Sequence, residues 1–408
     1  MNHRASRRSF LQHATLGSLG ALAAGGVLDG AEAQAPDAKI FGAAGVKTSA
    51  RPMGVWRAAA QRKVRVGIVG YGVCRFGAAF GFQDHPNVTV AAVSDLLPDR
   101  CAELAKACRC GKTYPSLEEL VKDDTLEAVF VATDAPSHAR HCIEVLQHGK
   151  HVASAVPAVF GALDDAYRLE EAVRSSGRKY MMFETSAFRA DCHAMRQIYR
   201  SGGFGKLIYS EGEYFHHMAR PIPSFHEWRV GLPPQWYPTH SNAYYICVTG
   251  GSFTEVTCLG MPSIIPQLRP ENNRYRNPFG TEIALLRTSE GGMSRMAVSW
   301  DSHEPGGEVG RVRGQRGSMW GTAYDGEEKN LPTLDMPALP PSVAPGGHGG
   351  SHGHLTEEFL RAILEDRQPL VDVATALNLT VAGIVAHQSA LKGGEMLKIP
   401  QFQRPKSA

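Results

Sequence analysis

Val64-Arg65-Val66-Gly67-Ile68-Val69-Gly70-Tyr71-Gly72-Val73-Cys74-Arg75-Phe76-Gly77 is the stretch on which the reading of this chain turns. A short apolar run that ends in glycines reads as a buried parallel strand feeding a tight turn. In such a turn the backbone must approach a pyrophosphate seated on a helix N-terminus. Gly70 and Gly72 suit the first two fingerprint positions. The third is Arg75, and a glycine follows only at Gly77. A helix over Phe76–Gln83 and a strand over Val88–Val93 are expected next, and that strand ends at Asp95. An acid there is placed for the ribose hydroxyls; it repels a 2′-phosphate and so favours NAD over NADP.

Strand and helix patterns go on alternating downstream. A helix is expected near Pro98–Cys108, a short one at Ser116–Leu120, and strands at Ala128–Ala132, His151–Ala153 and Tyr180–Phe183. This alternation specifies a doubly wound parallel sheet. Beyond it the pattern changes. Leu207–Tyr214 alternates polar and apolar residues, Glu282–Thr288 and Ser294–Trp300 flank a Glu290-Gly291-Gly292 turn, and Ser318–Thr322 reads as another strand. The fold class is therefore α/β, with a second sheet that is open and mainly antiparallel.

The chain has 408 residues, 43% hydrophobic and 20% charged, with 43 Lys+Arg against 40 Asp+Glu. This excludes a disordered chain and carries no basic footprint for nucleic acid. Eight cysteines are too sparse for a disulfide scaffold, and no metal site is expected. Ser6-Arg7-Arg8-Ser9-Phe10-Leu11-Gln12, a Gly/Ala-rich stretch from Ala14 to Leu28, and Ala31-Glu32-Ala33-Gln34-Ala35 resemble a twin-arginine export signal, too short and glycine-rich to span a membrane stably. The organisation read from these features is a signal over 1–35, an arm over 36–61, a nucleotide-binding domain over 62–185 and a substrate and oligomerisation domain over 186–408. The expected location is periplasmic or secreted.

With the Gly70-Tyr71-Gly72 loop, Asp95, the Thr133-Asp134-Ala135-Pro136-Ser137-His138 edge and Gly149-Lys150-His151-Val152 in place, the chain resembles the Gfo/Idh/MocA superfamily of sugar oxidoreductases over roughly 62–400. The resemblance implies a Rossmann domain, a C-terminal α/β domain with a large open sheet, bound NAD, a carbohydrate substrate and a homodimer or homotetramer. It implies cofactor contacts from Gly70, Tyr71, Gly72, Val73, Asp95, Thr133, Asp134, Ser137, His138, Ala155 and Pro157. Two departures stand out. Where the family carries Glu-Lys-Pro, with a lysine that assists catalysis, this chain has Ala155-Val156-Pro157. Where the family tends to carry an aspartate four residues before its catalytic histidine, this chain has Trp236 before His240. Tyr237-Pro238-Thr239-His240 is similar to a segment of the NAD-dependent glycosidases of the same superfamily, which oxidise a sugar carbon, eliminate the aglycone, add water and return the hydride. Those enzymes keep a glutamate where Ala155 stands and tend to have a tyrosine where Phe188 stands.

Imidazole titrates near neutral pH, so His240 is the leading general acid/base, with Tyr237 as a proton-relay partner and Glu184, at a strand end facing the crevice, as a third catalytic residue. Trp228, Arg229, Trp236 and Asn242 crowd the same aromatic, polar segment and are read as substrate contacts. His348, His352 and His354 follow a Pro/Gly-rich excursion, Leu331–Gly350, and His348 or His352 is expected to reach the site at the start of a helix. The leading expectation is an NAD-dependent oxidoreductase acting on a sugar or glycoside with a tightly held, recycled cofactor. A redox-neutral glycoside hydrolase or lyase and a non-catalytic sugar- or nucleotide-binding homologue are the alternatives.

Overall fold

The computed structural model describes residues 54–303 and 307–404. The expected export signal and residues 36–53 of the expected arm lie outside the described residues. The first sheet is built from β1 (Val64–Val69), β2 (Val88–Ser94), β3 (Thr113–Tyr114), β4 (Ala128–Val131), β5 (His151–Ser154) and β6 (Tyr180–Met182), ordered β3-β2-β1-β4-β5-β6 with every pair parallel. All four residues of β4 are buried, as expected of a strand covered on both faces, where hydrophobic runs are continuous rather than alternating. The order reverses at β1, which places a crevice at the C-terminal ends of β1 and β4. Its helices are α1 (Phe76–Ala79), α2 (Pro98–Ala107), α3 (Leu117–Leu120), α4 (His138–Gln147) and α5 (Leu163–Ser176). The helix expected over Phe76–Gln83 is broken. Gly81 adopts φ +75°, so α1 stops at Ala79 and a separate 3-10 turn, Phe82–Asp84, follows.

After α6 (Ala190–Arg200) and α7 (Thr239–Thr249), the second sheet comprises β7 (Leu207–Phe215), β8 (Phe253–Pro262), β9 (Phe279–Thr288), β10 (Met293–Ser299), β11 (Glu308–Gly314), β12 (Gly317–Trp320), β13 (Ala323–Gly326) and β14 (Leu397–Lys398). Its order is β13-β12-β11-β7-β10-β9-β8-β14, antiparallel except for the β7–β10 pair. Burial alternates along β9, as it must where one face is covered and the other open. The covered face carries α7 and α9 (Val373–Leu391), both almost wholly buried. α7 sits very close to β7, because a Cβ on Gly212 would lie 2.0 Å from the Ser241 carbonyl oxygen. That close approach brings His240 down onto the sheet. α8 (His352–Leu364) packs back on the first domain, with the Thr356 hydroxyl donating to the Phe80 carbonyl at 2.8 Å.

Candidate active site

The Gly70–Phe76 loop forms the floor of a cleft. Its other walls are Asp95–Leu97, Thr133–Ser137 and, from the second domain, Pro223–Phe225 with Trp228 and Arg229. Gly70 has φ +100°, and a Cβ there would fall 2.4 Å from the Ala132 carbonyl oxygen, so only glycine fits. A Cβ on Gly77 would fall 2.4 Å from the Gly70 carbonyl oxygen. Gly77 therefore does the close-packing work of the third fingerprint glycine from two positions later. A Cβ on Gly72 would meet nothing within 4 Å, so the backbone there is open toward the cleft. Asp95 accepts hydrogen bonds from Tyr71 N at 2.7 Å and Leu97 N at 2.9 Å. It thus ties the loop to the end of β2, while Arg75, Arg100 and Arg229 bring positive charge to the same cleft. A dinucleotide fits these residues: an open glycine beneath a pyrophosphate, cations around it and a carboxylate at the end of β2.

Gly70, Tyr71, Gly72, Val73, Asp95, Thr133, Asp134 and Ser137 all line this cleft. His138, Ala155 and Pro157 do not. His138 is buried, with its ring nitrogens against the Pro157 and Thr133 carbonyls at 2.9 and 3.2 Å. Ala155 gives its N–H to Val131. These three brace the wall from behind, because their polar groups are consumed inside the sheet.

Residues 64–184 match the family model described as oxidoreductase family, NAD-binding Rossmann fold. Over these residues the chain is similar to the Gfo/Idh/MocA oxidoreductases. Among curated proteins, a "Glycosyl hydrolase family 109 protein" of Streptomyces niveus is 25% identical over an alignment covering 93% of this chain and 85% of that protein. A "Glycosyl hydrolase family 109 protein 1" of Bacteroides thetaiotaomicron is 29% identical over 41% of this chain and 38% of that protein. Among solved structures, a levoglucosan dehydrogenase in complex with NADH and levoglucosan aligns with a TM-score of 0.68 at 16% identity, over 83% of this chain and all of that one. An aldose-aldose oxidoreductase from Caulobacter crescentus aligns with a TM-score of 0.65 at 17% identity, over the same shares of the two chains. At such identities the likeness is one of fold.

The catalytic trio read from the Gfo/Idh/MocA resemblance and from strand-end position is gathered at the seam of the two sheets. His240 and Glu184, 56 residues apart, are 4% and 0% exposed, and His240 Nδ1 lies 2.8 Å from Glu184 Oε1. The same carboxylate oxygen accepts from Ser186 N at 2.8 Å, and the Thr185 hydroxyl lies 3.3 Å from His240 Nδ1. With Nδ1 committed to Glu184, Nε2 is the nitrogen available for chemistry. Burial alone would lower the His240 pKa. The charges of Glu184 and Glu308 and the hydrogen bond that His240 donates to Glu184 outweigh it and raise it from 6.5 to about 9. Tyr237 stacks between Tyr214 and Trp228, 5.7 Å from the His240 ring, and Arg229 lies 4.2 Å over Trp228. Burial pushes the Tyr237 phenol up to about 12. Trp228 and Arg229 thus belong to both the nucleotide cleft and the ring stack that leads to His240.

Three expected substrate contacts are placed elsewhere. Asn242 is 1% exposed and donates to the Leu379 carbonyl at 2.7 Å, so it ties α7 to α9. Trp236 turns away from His240, against Gly161, Phe160, Tyr275 and His387. His352 has both ring nitrogens engaged, by the Ala79 carbonyl and by His348.

Glu308, on β11, was missed by sequence reading. It is buried, accepts from the Ser186 hydroxyl at 2.7 Å and lies 3.8 Å from Arg189. Burial raises its pKa, but His240, Ser186 and Arg189 pull it below the usual carboxylate range. Nothing local marks it, since 122 residues separate it from Ser186. The Glu282–His387 pair, 2.7 Å apart and buried, was missed for the same reason. Glu282 also accepts from Gln235 N at 2.8 Å and so anchors the turn leading into α7. No group of metal-ligating side chains occurs among the described residues, and no helix there is long and apolar enough to cross a membrane.

Proposed function

We propose that this protein is an NAD-dependent enzyme that moves hydride between its cofactor and a ring carbon of a sugar or glycoside, with the cofactor held tightly and recycled in place. The observation that carries this reading is the buried Glu184–His240 pair at the seam beside the nucleotide cleft. NAD, when bound, supplies the hydride acceptor and donor. The Gly70–Val73 loop, Asp95 and Thr133–Ser137 hold it. His240 exchanges the hydroxyl proton through Nε2, and Glu184 holds the ring and stabilises its charge. Val156 stands where the family's lysine assists catalysis, so proton transfer rests on the histidine. The resemblance of residues 6–35 to a twin-arginine signal favours export, and a tightly held cofactor suits a compartment without a nicotinamide pool.

A second, finer reading is favoured by the relatives of glycosyl hydrolase family 109, one of which aligns over 93% of this chain. On that reading the hydride is returned after the glycosidic bond is broken, and the net reaction is redox-neutral cleavage. The test begins with protein purified without added nucleotide, denatured and analysed by mass spectrometry. About one NAD or NADH per chain is expected. NADP would overturn the reading of Asp95, and an empty protein unable to bind NAD would overturn the function. Aglycone release that requires bound NAD but accumulates no NADH selects cleavage over net oxidation.

A further inference from the structure

His348 lies in Gly346-Gly347-His348-Gly349-Gly350 with φ +49° and ψ 53°, between glycines at φ +80°, +68° and +84°. A non-glycine residue in the left-handed region signals a local constraint. Here the turn carries the imidazole to Phe76, at the edge of the nucleotide cleft, with ring centroids 5.7 Å apart. Its Nδ1 lies 2.8 Å from His352 Nε2, and His352 Nδ1 lies 3.1 Å from the Ala79 carbonyl oxygen.

This chain of contacts sets the proton positions. The Ala79 carbonyl can only accept, so His352 Nδ1 carries a proton. Burial, with the His348 charge next, pushes His352 down to about 4, so the ring is neutral and its Nε2 can only accept. His348 Nδ1 must then be the donor, which leaves the lone pair of a neutral His348 on Nε2. At His240 the arrangement is opposite, since Nδ1 faces a carboxylate and the ring holds its proton. The charged and titratable groups around His348 are His240, Glu308, Glu184 and Arg189, together with His352. Desolvation by the groups packed around it, and then the His240 charge, lower the pKa of His348, although its side chain keeps an exposed edge. Two titratable groups driven apart by their surroundings mark an acid and a base.

We propose that His348 is a second catalytic group of this site, a base acting through Nε2, and that His352 is a positioning residue that fixes its tautomer. The inference rests on the proposed NAD-dependent sugar chemistry and deepens it toward glycoside cleavage. Net oxidation needs one proton-transfer group, whereas elimination needs two in opposite states. Where the sugar ring carbon stands as a ketone, as bound NAD would leave it, the neighbouring C–H is acidic. His348 Nε2 takes that proton, the C–H electron pair becomes the C=C bond, and the C–O bond breaks with its pair on the departing oxygen. His240 protonates that oxygen.

The test uses full-length protein with 15N-labelled histidine and a panel of p-nitrophenyl α- and β-glycosides. His348→Asn is a suitable variant because asparagine tolerates the left-handed region. The wild type is expected to show His348 as the Nδ1–H tautomer at pH 7. His348→Asn is expected to retain single-turnover reduction of bound NAD but to release p-nitrophenol at least ~100-fold more slowly. His352→Phe should move the His348 tautomer off Nδ1–H, and His352→Gln, whose amide oxygen can accept, should restore it. An Nε2–H tautomer in the wild type, or p-nitrophenol release by His348→Asn within about threefold of wild type, would overturn the proposal. Failure of every glycoside to reduce NAD bound to the wild type would instead overturn the proposed function, and the base role with it.

Discussion

His240 gives the molecule a signed pH dependence. Its folded-state pKa of about 9 lies above the unfolded value of 6.5. The folded state therefore binds more protons between these values, and the contribution to stability is complete below about 6.5 and lost as pH rises through 9. His141, His151, His193 and His352, held near 4 chiefly by burial, act in the other direction and lower stability as pH falls from 6.5 toward 4. Urea midpoints measured from pH 4 to 10 should peak near neutrality, and Glu184→Gln should flatten the alkaline slope. Glu184→Ala leaves a buried imidazolium unpaired and is expected to cost ~3–5 kcal/mol, read from denaturant unfolding. Catalysis should follow the same proton. Single-turnover oxidation of substrate should rise with pH up to about 9, as His240 becomes able to accept a proton, while the reverse transfer should decline above that value.

At the scale of elements, the turn after β1 is the most constrained piece of backbone in the cleft. Gly70→Ala meets both a forbidden φ and a carbonyl oxygen at 2.4 Å. It is expected to cost upward of ~1–3 kcal/mol and to weaken NAD binding at least about tenfold, checked by calorimetric titration. Asn242, by contrast, joins two helices. Asn242→Ala should cost ~1 kcal/mol in unfolding free energy and leave KM unchanged for any substrate found, which separates its packing role from the substrate contact expected from sequence.

For the whole molecule, the open face of the second sheet carries the remaining question of assembly. Ile208, Leu259, Ile283, Leu285, Met293 and Trp320 are exposed on strands of this sheet, among charged pairs such as Arg287–Glu255 and Arg295–Glu213. Apolar side chains exposed along a sheet face suit association, and we propose a second copy of the chain as the occupant. Light scattering should report a dimer or tetramer, and Leu259→Glu combined with Leu285→Glu should yield monomer with melting of the fold little changed.

By itself the sequence determined the elements and the nucleotide loop. Strand runs such as Val64–Val69 and the alternation of Glu282–Thr288 are local patterns of hydrophobicity, and a glycine turn needs only its own residues to be recognised. The same segment showed its limit at Gly81, where one backbone conformation cut the expected helix short. Tertiary structure alone decided which polar groups share a site. His240 finds Glu184 across 56 residues, Glu308 finds Ser186 across 122, and neither pairing leaves a periodic trace. It also sorted neighbours in sequence that composition made equivalent: Trp228 lines the cleft and Trp236 turns away, and His352 has both ring nitrogens engaged while His348 packs on Phe76. The physical reason is common to these cases. Secondary structure follows from the chemistry of adjacent residues, whereas a proton's position follows from which distant groups the packing of two sheets brings within hydrogen-bond range.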